Sequence, residues 1–285
     1  MIKEIKKSLV RGLLPVRDPR SHKGQNGRVL IVGGSIEYHG APMLAALGAL
    51  NSGSDLVYLF VPECNFDVCR SMCPDFIVRK FKGDFLNVEA VTEIVKFGKK
   101  KADSVVIGPG LGGREETLLA VKELLLNLPL PTVVDADAIA VLKMIEKFPL
   151  EQTVVVTPHR MEFANLVDRD ILVREDDAKS VILLRSLSMD LQINVLLKGP
   201  VDFVSSHEGF VEKNLTGNCG MTVGGTGDVL AGVVGSLLAK GLSGYDAGRA
   251  AAYLNGVAGD LVAKQKGLCF SASDVAMAMA YALKS

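Results

Sequence analysis

Short runs of β-branched and aliphatic residues alternate with longer segments of helical periodicity through the first two thirds of the chain. The apolar runs cover 28–32, 56–61, 104–107, 132–134, 153–156 and 194–197, and the helical segments include 42–51, 115–126 and 138–147. Strands that are apolar throughout are typical of a parallel sheet buried on both faces, and such a sheet needs helical crossovers. The alternation therefore predicts an α/β fold in which a central, mostly parallel sheet has helices on both faces.

The pattern changes in the last third of the chain. Two short apolar runs flank a polar turn after Lys198 and predict an antiparallel hairpin at the edge of the sheet, with strands at 201–204 and 209–211. Helices are expected to follow at 229–239, 245–264 and 273–283. Since no internal repeat and no long linker interrupts the chain, residues 1–285 are expected to form a single domain.

Composition excludes several classes of function. The 32 basic residues balance 32 acidic ones, so no net charge attracts the chain to nucleic acid or to an anionic membrane. No apolar run reaches the roughly 20 residues of a membrane span, and the N-terminal segment lacks the apolar stretch of a signal peptide. The five cysteines lack the paired spacing of a structural zinc site. We therefore expect a globular, cytoplasmic protein that has neither nucleic acid nor a membrane as a partner.

The segments that follow the predicted strands carry the functional information, because ligands of an open parallel sheet bind beyond the carboxyl ends of its strands. The most informative is Gly224-Gly225-Thr226-Gly227-Asp228, which runs directly into an apolar helix. Its backbone N–H groups converge at the positive end of the helix dipole, and this predicts an anion hole formed by Gly225, Thr226 and Gly227.

Asp228 stands beside this predicted anion. A carboxylate there suits a general base that takes a proton from a hydroxyl group attacking phosphorus. The same carboxylate could simply cap the helix, but the glycines and the threonine around it favour catalysis.

Other motifs leave alternatives open. The P-loop pattern is absent, so Lys198, which ends a predicted strand before Gly199, is the candidate cation for phosphate groups. Gly108-x-Gly110-x-x-Gly113, with Asp135 further on, formally matches a dinucleotide-binding fingerprint and makes a nicotinamide dehydrogenase an alternative. Pro109 weakens that match because it removes one N–H from the turn. His159 either caps a helix or contacts a ligand.

Taken together, these loops resemble the C-terminal, ribokinase-like domain of the NAD(P)H-hydrate repair proteins, an ADP- or ATP-dependent dehydratase. The resemblance lies in the segments KGQNGRVLIVGGSIEYHGAP, VVIGPGLG, VVDADAI, VTPHRMEF, LLKGPVDFV and GNCGMTVGGTGDVLAG, which occur in the family's order. It implies a ribokinase-like fold. It also implies that the enzyme converts hydrated NADH or NADPH to the reduced cofactor by phosphorylating the ring hydroxyl and eliminating phosphate.

The resemblance also assigns roles to individual positions. Asp228 would be the catalytic base and would contact the hydrated cofactor together with Ala41, Gly110 and His159. The adenine nucleotide, ADP or ATP, would bind at Lys198, Gly199, Pro200, Val201, Asp202 and Gly227. Mg²⁺ would neutralise the phosphates, although the sequence does not name its ligands.

Further expectations follow from the same resemblance. Relatives suggest a homotetramer, and many carry an N-terminal epimerase domain that we do not expect in this chain, so a separate epimerase would be a partner. Two other functions share some of the motifs: a vitamin-precursor kinase of the ribokinase-like superfamily and a non-catalytic nucleotide sensor. The sequence does not distinguish ADP from ATP.

Overall fold

Ten strands form one sheet within residues 2–167 and 178–284, which the computed structural model describes. The strands are β1 (Lys3–Glu4), β2 (Arg28–Val32), β3 (Leu56–Pro62), β4 (Phe76–Phe81), β5 (Ser104–Ile107), β6 (Thr132–Val134), β7 (Val154–Val156), β8 (Asn194–Leu197), β9 (Asp202–Ser205) and β10 (Val211–Asn214). Their order is β1-β10-β9-β8-β7-β6-β5-β2-β3-β4. Neighbours are parallel except that β9 is antiparallel to β8 and to β10.

Helices cover both faces of this sheet. They are α1 (Lys7–Leu13), α2 (Gly40–Asn51), α3 (Phe66–Met72), α4 (Val88–Lys101), α5 (Glu115–Asn127), α6 (Arg160–Leu166), α7 (Ala178–Leu191), α8 (Thr226–Ala239), α9 (Gly244–Lys266) and α10 (Ala272–Ala282). Successive residues of β2 point to opposite faces: Val29 and Ile31 join the core with α2, α8 and α9, whereas Leu30 and Val32 join the core with α4 and α5. The predicted α/β architecture is confirmed.

Most of the predicted elements are found close to their expected bounds. The six apolar runs are strands, and the hairpin is present as β9 and β10, beside which β1 adds a short parallel strand. The helix expected at 138–147 is found as a 3₁₀ helix at Ala136–Met144, which ends three residues earlier than expected. It begins in the left-handed region, at Ala136 with φ +54°, and packs against α5 and α6.

Close packing of α2 against α8 positions the N-terminus of α8, where the candidate site lies. A Cβ on Gly232 of α8 would lie 1.9 Å from the carbonyl oxygen of Ala45, and a Cβ on Gly48 of α2 would lie 2.3 Å from that of Val229. The two helix backbones can touch only because glycines occupy the point where α2 and α8 cross. The hydroxyl of Ser104, at the start of β5, donates to the carbonyl of Gly235 in the second half of α8 (2.7 Å). The N-terminus of α8 consequently lies at the carboxyl edge of the central strands.

None of the helices in the described ranges is long and apolar enough to cross a membrane.

Candidate active site

Asp228 lies in the first turn of α8, where the chain enters the helix through a left-handed glycine. Gly225 precedes the helix with φ +100°, and a Cβ there would come within 2.5 Å of Leu44 Cδ1. Burial raises the pKa of Asp228 to about 7, and the negative charge of Asp135 adds to this rise while Lys198 opposes it. A carboxyl group with that pKa can accept a proton near neutral pH, as the predicted general base must.

Lys198 forms an ion pair with a buried carboxylate. Its Nζ donates to Asp135 Oδ1 (2.9 Å), and the hydroxyl of Thr157 donates to the same oxygen (2.7 Å). Burial opposes the charge of Lys198, but the attraction of Asp135 and Glu162 leaves its pKa above the ordinary value. The ammonium also lies 3.2 Å from the position of a Cβ on Gly227. It therefore stays charged next to the start of α8.

The segment after β8 is held in shape by a carboxylate. Asp202 Oδ1 accepts the N–H of Gly199 (3.0 Å), and Asp202 Oδ2 accepts the amide of Asn214 (3.1 Å). Burial raises the pKa of Asp202 to about 6 despite these bonds. Gly199 and Pro200 are exposed, whereas the side chain of Val201 packs against the core.

A cavity of about 420 Å³ connects these groups to the last third of the chain. Its walls come from residues 198–200 and 202, from 216–219, 221 and 222, from the start of α8 and from Asn255 and Gly256 in the middle of α9, with His159 at one side. The cavity thus touches Lys198 and four other predicted nucleotide residues: Gly199, Pro200, Asp202 and Gly227. Val201 and Asp228 are outside its wall.

The predicted anion hole would be built from backbone groups more than from side chains. The hydroxyl of Thr226 donates to the carbonyl of Met221 (2.8 Å), so this side chain holds the preceding loop. The first N–H groups of α8 have no acceptor within the helix, which is general for helix starts. Backbone N–H groups of Thr226 and Gly227 are therefore what this turn offers to an anion.

The segment 216–222 forms a wall of the cavity, and the sequence predicted no role for its individual residues. Asp260 of α9 accepts the N–H of Gly217 (3.1 Å) and the amide of Asn218 (2.9 Å). A Cβ on Gly256 would lie 2.1 Å from Thr216 Oγ1, so the loop rests directly on the helix backbone. Two carboxylate bonds and this close contact fix the loop against α9.

Ala41 and Gly110 lie in a second part of the carboxyl edge: Ala41 is in the first turn of α2, which follows β2, and Gly110 is in the loop after β5. Gly110 has φ +72°, and a Cβ there would approach Tyr38 O to 2.9 Å and Ala41 Cβ to 3.1 Å. The N–H of Gly34 donates to the carbonyl of Pro109 (2.8 Å), which joins the two loops. The structure therefore brings Ala41 and Gly110 together, outside the wall of the 420 Å³ cavity.

His159 caps α6. Its Nδ1 accepts the N–H groups of Met161 and Glu162 (both 3.1 Å), and Glu162 accepts the N–H of His159 in return (2.7 Å). The cap that the sequence suggested is thus present. The side chain is 55% exposed and borders the cavity, so a ligand contact through the remaining ring edge stays a prediction.

The environment of Asp135 argues against the dehydrogenase alternative. In the dinucleotide fingerprint an acidic residue binds a ribose hydroxyl. Here Asp135 is only 2% exposed, and the same oxygen accepts bonds from Lys198 and Thr157. The partner of Lys198 could not be read from the sequence because it comes from another strand, 63 positions away.

Comparison with known proteins gives a consistent picture. The family model for NAD(P)H-hydrate dehydratase matches residues 29–280. The ADP-dependent (S)-NAD(P)H-hydrate dehydratase of Nitrosopumilus maritimus is 38% identical over 278 residues, which cover 96% of this chain and 94% of that protein. The bifunctional NAD(P)H-hydrate repair enzyme of Methanothermobacter thermautotrophicus is 41% identical over 92% of this chain, and the chain spans half of that protein's length.

A solved structure supports the same family assignment. The ADP/ATP-dependent NAD(P)H-hydrate dehydratase of Bacillus subtilis, co-crystallised with ATP and Mg²⁺, has a TM-score of 0.86 at 26% identity, covering 99% of this chain and 98% of that one. The predicted ribokinase-like fold is confirmed by such neighbours. The family match covers most of the chain and includes every loop of the site. The chain therefore belongs to the NAD(P)H-hydrate dehydratase family.

Proposed function

We propose that this chain catalyses the nucleotide-dependent dehydration of hydrated NADH and NADPH, using ADP or ATP as the phosphoryl donor. The observation that carries the proposal is Asp228, a carboxyl group with a pKa of about 7 at the start of α8, beside the cation Lys198. The relatives from N. maritimus and B. subtilis, which are named as dehydratases of this kind, support the same substrate.

The reaction requires that a poor leaving group be converted into a good one. Asp228 takes the proton of the ring hydroxyl while the hydroxyl oxygen attacks the terminal phosphorus of the nucleotide. The bond from that phosphorus to the bridging oxygen breaks, and AMP leaves from ADP, or ADP from ATP. The C–O bond of the phosphorylated ring then breaks with help from the lone pair of the ring nitrogen, and phosphate leaves. Loss of a proton from the neighbouring ring carbon restores the double bond.

The nucleotide is assigned to the 420 Å³ cavity, a volume suited to a small-molecule site. Lys198 and the N–H groups at Thr226 and Gly227 meet at one end of it, where they would bind phosphate oxygens. Residues 199–202 would follow the nucleotide along the wall, with Asp202 holding their backbone in place through Gly199.

Mg²⁺ fits this site as a companion of the nucleotide. Within the described part of the chain, no group of three or more His, Cys, Asp or Glu side chains could hold a metal ion by itself. Mg²⁺ commonly binds through one or two carboxylates together with phosphate oxygens. The negative field of Asp135, Glu162 and Asp228 would help to retain it, and the ion would neutralise phosphate charge.

The hydrated nicotinamide ring is assigned to the loops after β2 and β5. Gly110 and Ala41 are in contact there and offer backbone and methyl surface, whereas His159 borders the nucleotide cavity. Asp228 stands at the start of α8, which packs on β2, β5 and β6. The base would thus lie between the two ligands, as a phosphoryl transfer between them requires.

The test is to mix purified protein with hydrated NADH, Mg²⁺ and either ADP or ATP, and to record the absorbance of reduced nicotinamide together with phosphate release. The expected result is recovery of the absorbance together with an equimolar amount of phosphate, with one or both donors. The rates with ADP and with ATP then show which donor is preferred. A vitamin-precursor kinase shares the same base and anion hole, but it would accumulate a phosphorylated product. Folded protein that restores no absorbance with either donor would overturn the proposal.

A further inference from the structure

Asn255 places an unpaired oxygen next to the nucleotide cavity. The residue lies on α9, is 6% exposed and lines the cavity, and its Oδ1 is buried without a hydrogen-bond partner. An unsatisfied buried acceptor is costly, so one on a residue that lines a ligand cavity indicates that a bound ligand supplies the donor.

The other polar side chains around Asn255 already have partners. Thr216 donates to the carbonyl of Tyr253 (3.0 Å), Asn218 donates to Asp260 (2.9 Å), and Thr222 donates to the carbonyl of Cys219 (2.9 Å). Of the described residues that line the cavity, Asn255 is the one with a buried side-chain oxygen left unpaired. A ligand group that donates a hydrogen bond is therefore expected at this position.

The space beside Asn255 suits a flat apolar ring. Met221 and Leu230 line the cavity there and provide apolar surface. Lys198, which follows β8, and Gly227, which lies in the first turn of α8, line the same cavity and would bind the phosphates. If phosphate binds at Lys198, as the proposed function requires, the remainder of the cavity is left to the ribose and the base.

We propose that Asn255 recognises the base of the nucleotide and selects adenine. The 6-amino group of adenine donates a hydrogen bond, which Asn255 Oδ1 can accept, and the amide NH₂ can donate to a neighbouring ring nitrogen. Hypoxanthine and guanine carry an oxygen at position 6 instead, so that oxygen and the neighbouring N7 are both acceptors, and in either orientation of the amide Oδ1 would face an acceptor. The inference rests on the proposed function because it assumes that this cavity holds the nucleotide.

The test compares ADP with inosine diphosphate, which replaces the 6-amino group with an oxygen. Calorimetric titration in the presence of Mg²⁺ is expected to give about 5- to 100-fold tighter binding of ADP to the wild-type protein. Asn255→Leu, which is nearly isosteric, should reduce this ratio to about twofold or less by weakening ADP. Asn255→Ala serves as a second variant if the leucine side chain prevents folding.

Asn194 provides a matched control. It too has a buried Oδ1 without a partner, but it lies at the start of β8, at the opposite end of the strand from Lys198. Asn194→Leu should leave the ratio of ADP to inosine diphosphate affinity unchanged. Equal wild-type affinities for the two nucleotides, or an unchanged ratio in both Asn255 variants, would overturn the inference and leave the proposed function standing. Failure of the wild-type protein to bind either nucleotide would instead contradict the proposed function.

Discussion

The two parts of the carboxyl edge differ in what they offer to a ligand. The side proposed to bind the nucleotide, formed by β8 and the starts of α6 and α8, presents charges and polar atoms around a defined cavity. The side formed by the loops after β2 and β5 is built from glycines whose backbones touch, as at Gly33, where a Cβ would lie 2.4 Å from Pro109 O. We therefore expect charge to govern recognition on the first side and shape to govern it on the second.

Under the proposed function Asp228 lies between the two ligands, and its removal should have the largest effect. Asp228→Asn keeps the shape of the side chain but cannot take the proton, so turnover should fall by about 10²- to 10⁴-fold. The affinity for ADP, measured by calorimetry, should change by less than about twofold. A loss of ADP binding that matches the loss of turnover would show that Asp228 acts on the nucleotide side alone.

The wild-type pH profile tests the same residue. Because Asp228 must be deprotonated to act as a base, and its pKa is raised to about 7 by burial, kcat/KM should rise with pH through that value. The Asn variant should lose this rise. A wild-type rate that is already level at pH 5 would mean that no group with a pKa near 7 must lose its proton, and it would contradict the assignment of Asp228 as the base.

Breaking the ion pair tests the nucleotide side. Lys198→Met leaves Asp135 buried without its cation, which should lower the free energy of unfolding by about 3 kcal/mol in urea denaturation. ADP binding should also weaken, whereas the KM for the hydrated cofactor should stay within about twofold. The double variant Lys198→Met with Asp135→Asn should recover stability but not ADP affinity. Recovery of both would show that Lys198 serves the fold and not the phosphates.

Gly110 tests the glycine side. Gly110→Ala forces a left-handed alanine, which costs about 1–2 kcal/mol, and brings its Cβ to within 2.9 Å of Tyr38. The KM for the hydrated cofactor should rise about tenfold while ADP affinity is unchanged. Gly112→Ala is the matched control, because Gly112 has φ +76° but nothing within 4 Å of an added Cβ. An equal rise in KM in both variants would attribute the effect to backbone strain instead of to the shape of the site.

The sequence predicted the interior of the fold better than its margins. Strands β2, β5, β6 and β8 were found at their expected residues because apolar runs mark strands that are buried on both faces. Strand β4 was missed since Arg79 and Lys80 interrupt its apolar residues at the edge of the sheet. Helix α7 was also missed, and its weak amphipathic pattern leaves Ser180 and Ser188 among its few buried residues.

The candidate site shows the same division. Glycine-rich turns and strand-end residues identified Asp228, Lys198 and the segment after it, because those signals are local. The partners came from elsewhere in the chain: Asp135 pairs with Lys198 across strands, and Asp260 ties Asn218 to α9. Such contacts depend on the order of strands and on helix packing, which spacing along one sequence does not encode.

Substitutions of His159 should have the smallest effect, and they can separate its role as a helix cap from its predicted contact with the hydrated cofactor. His159→Ala removes the Nδ1 that caps α6 and should lower the free energy of unfolding by about 1 kcal/mol. His159→Asn should restore the cap, because an asparagine oxygen can accept the same N–H groups, but it lacks the far edge of the imidazole ring. If that edge contacts the hydrated cofactor, both variants raise its KM although only alanine lowers stability. A normal KM in the asparagine variant would reduce His159 to a helix cap, and the recognition of the ring would then depend on the glycine loops and Asp228.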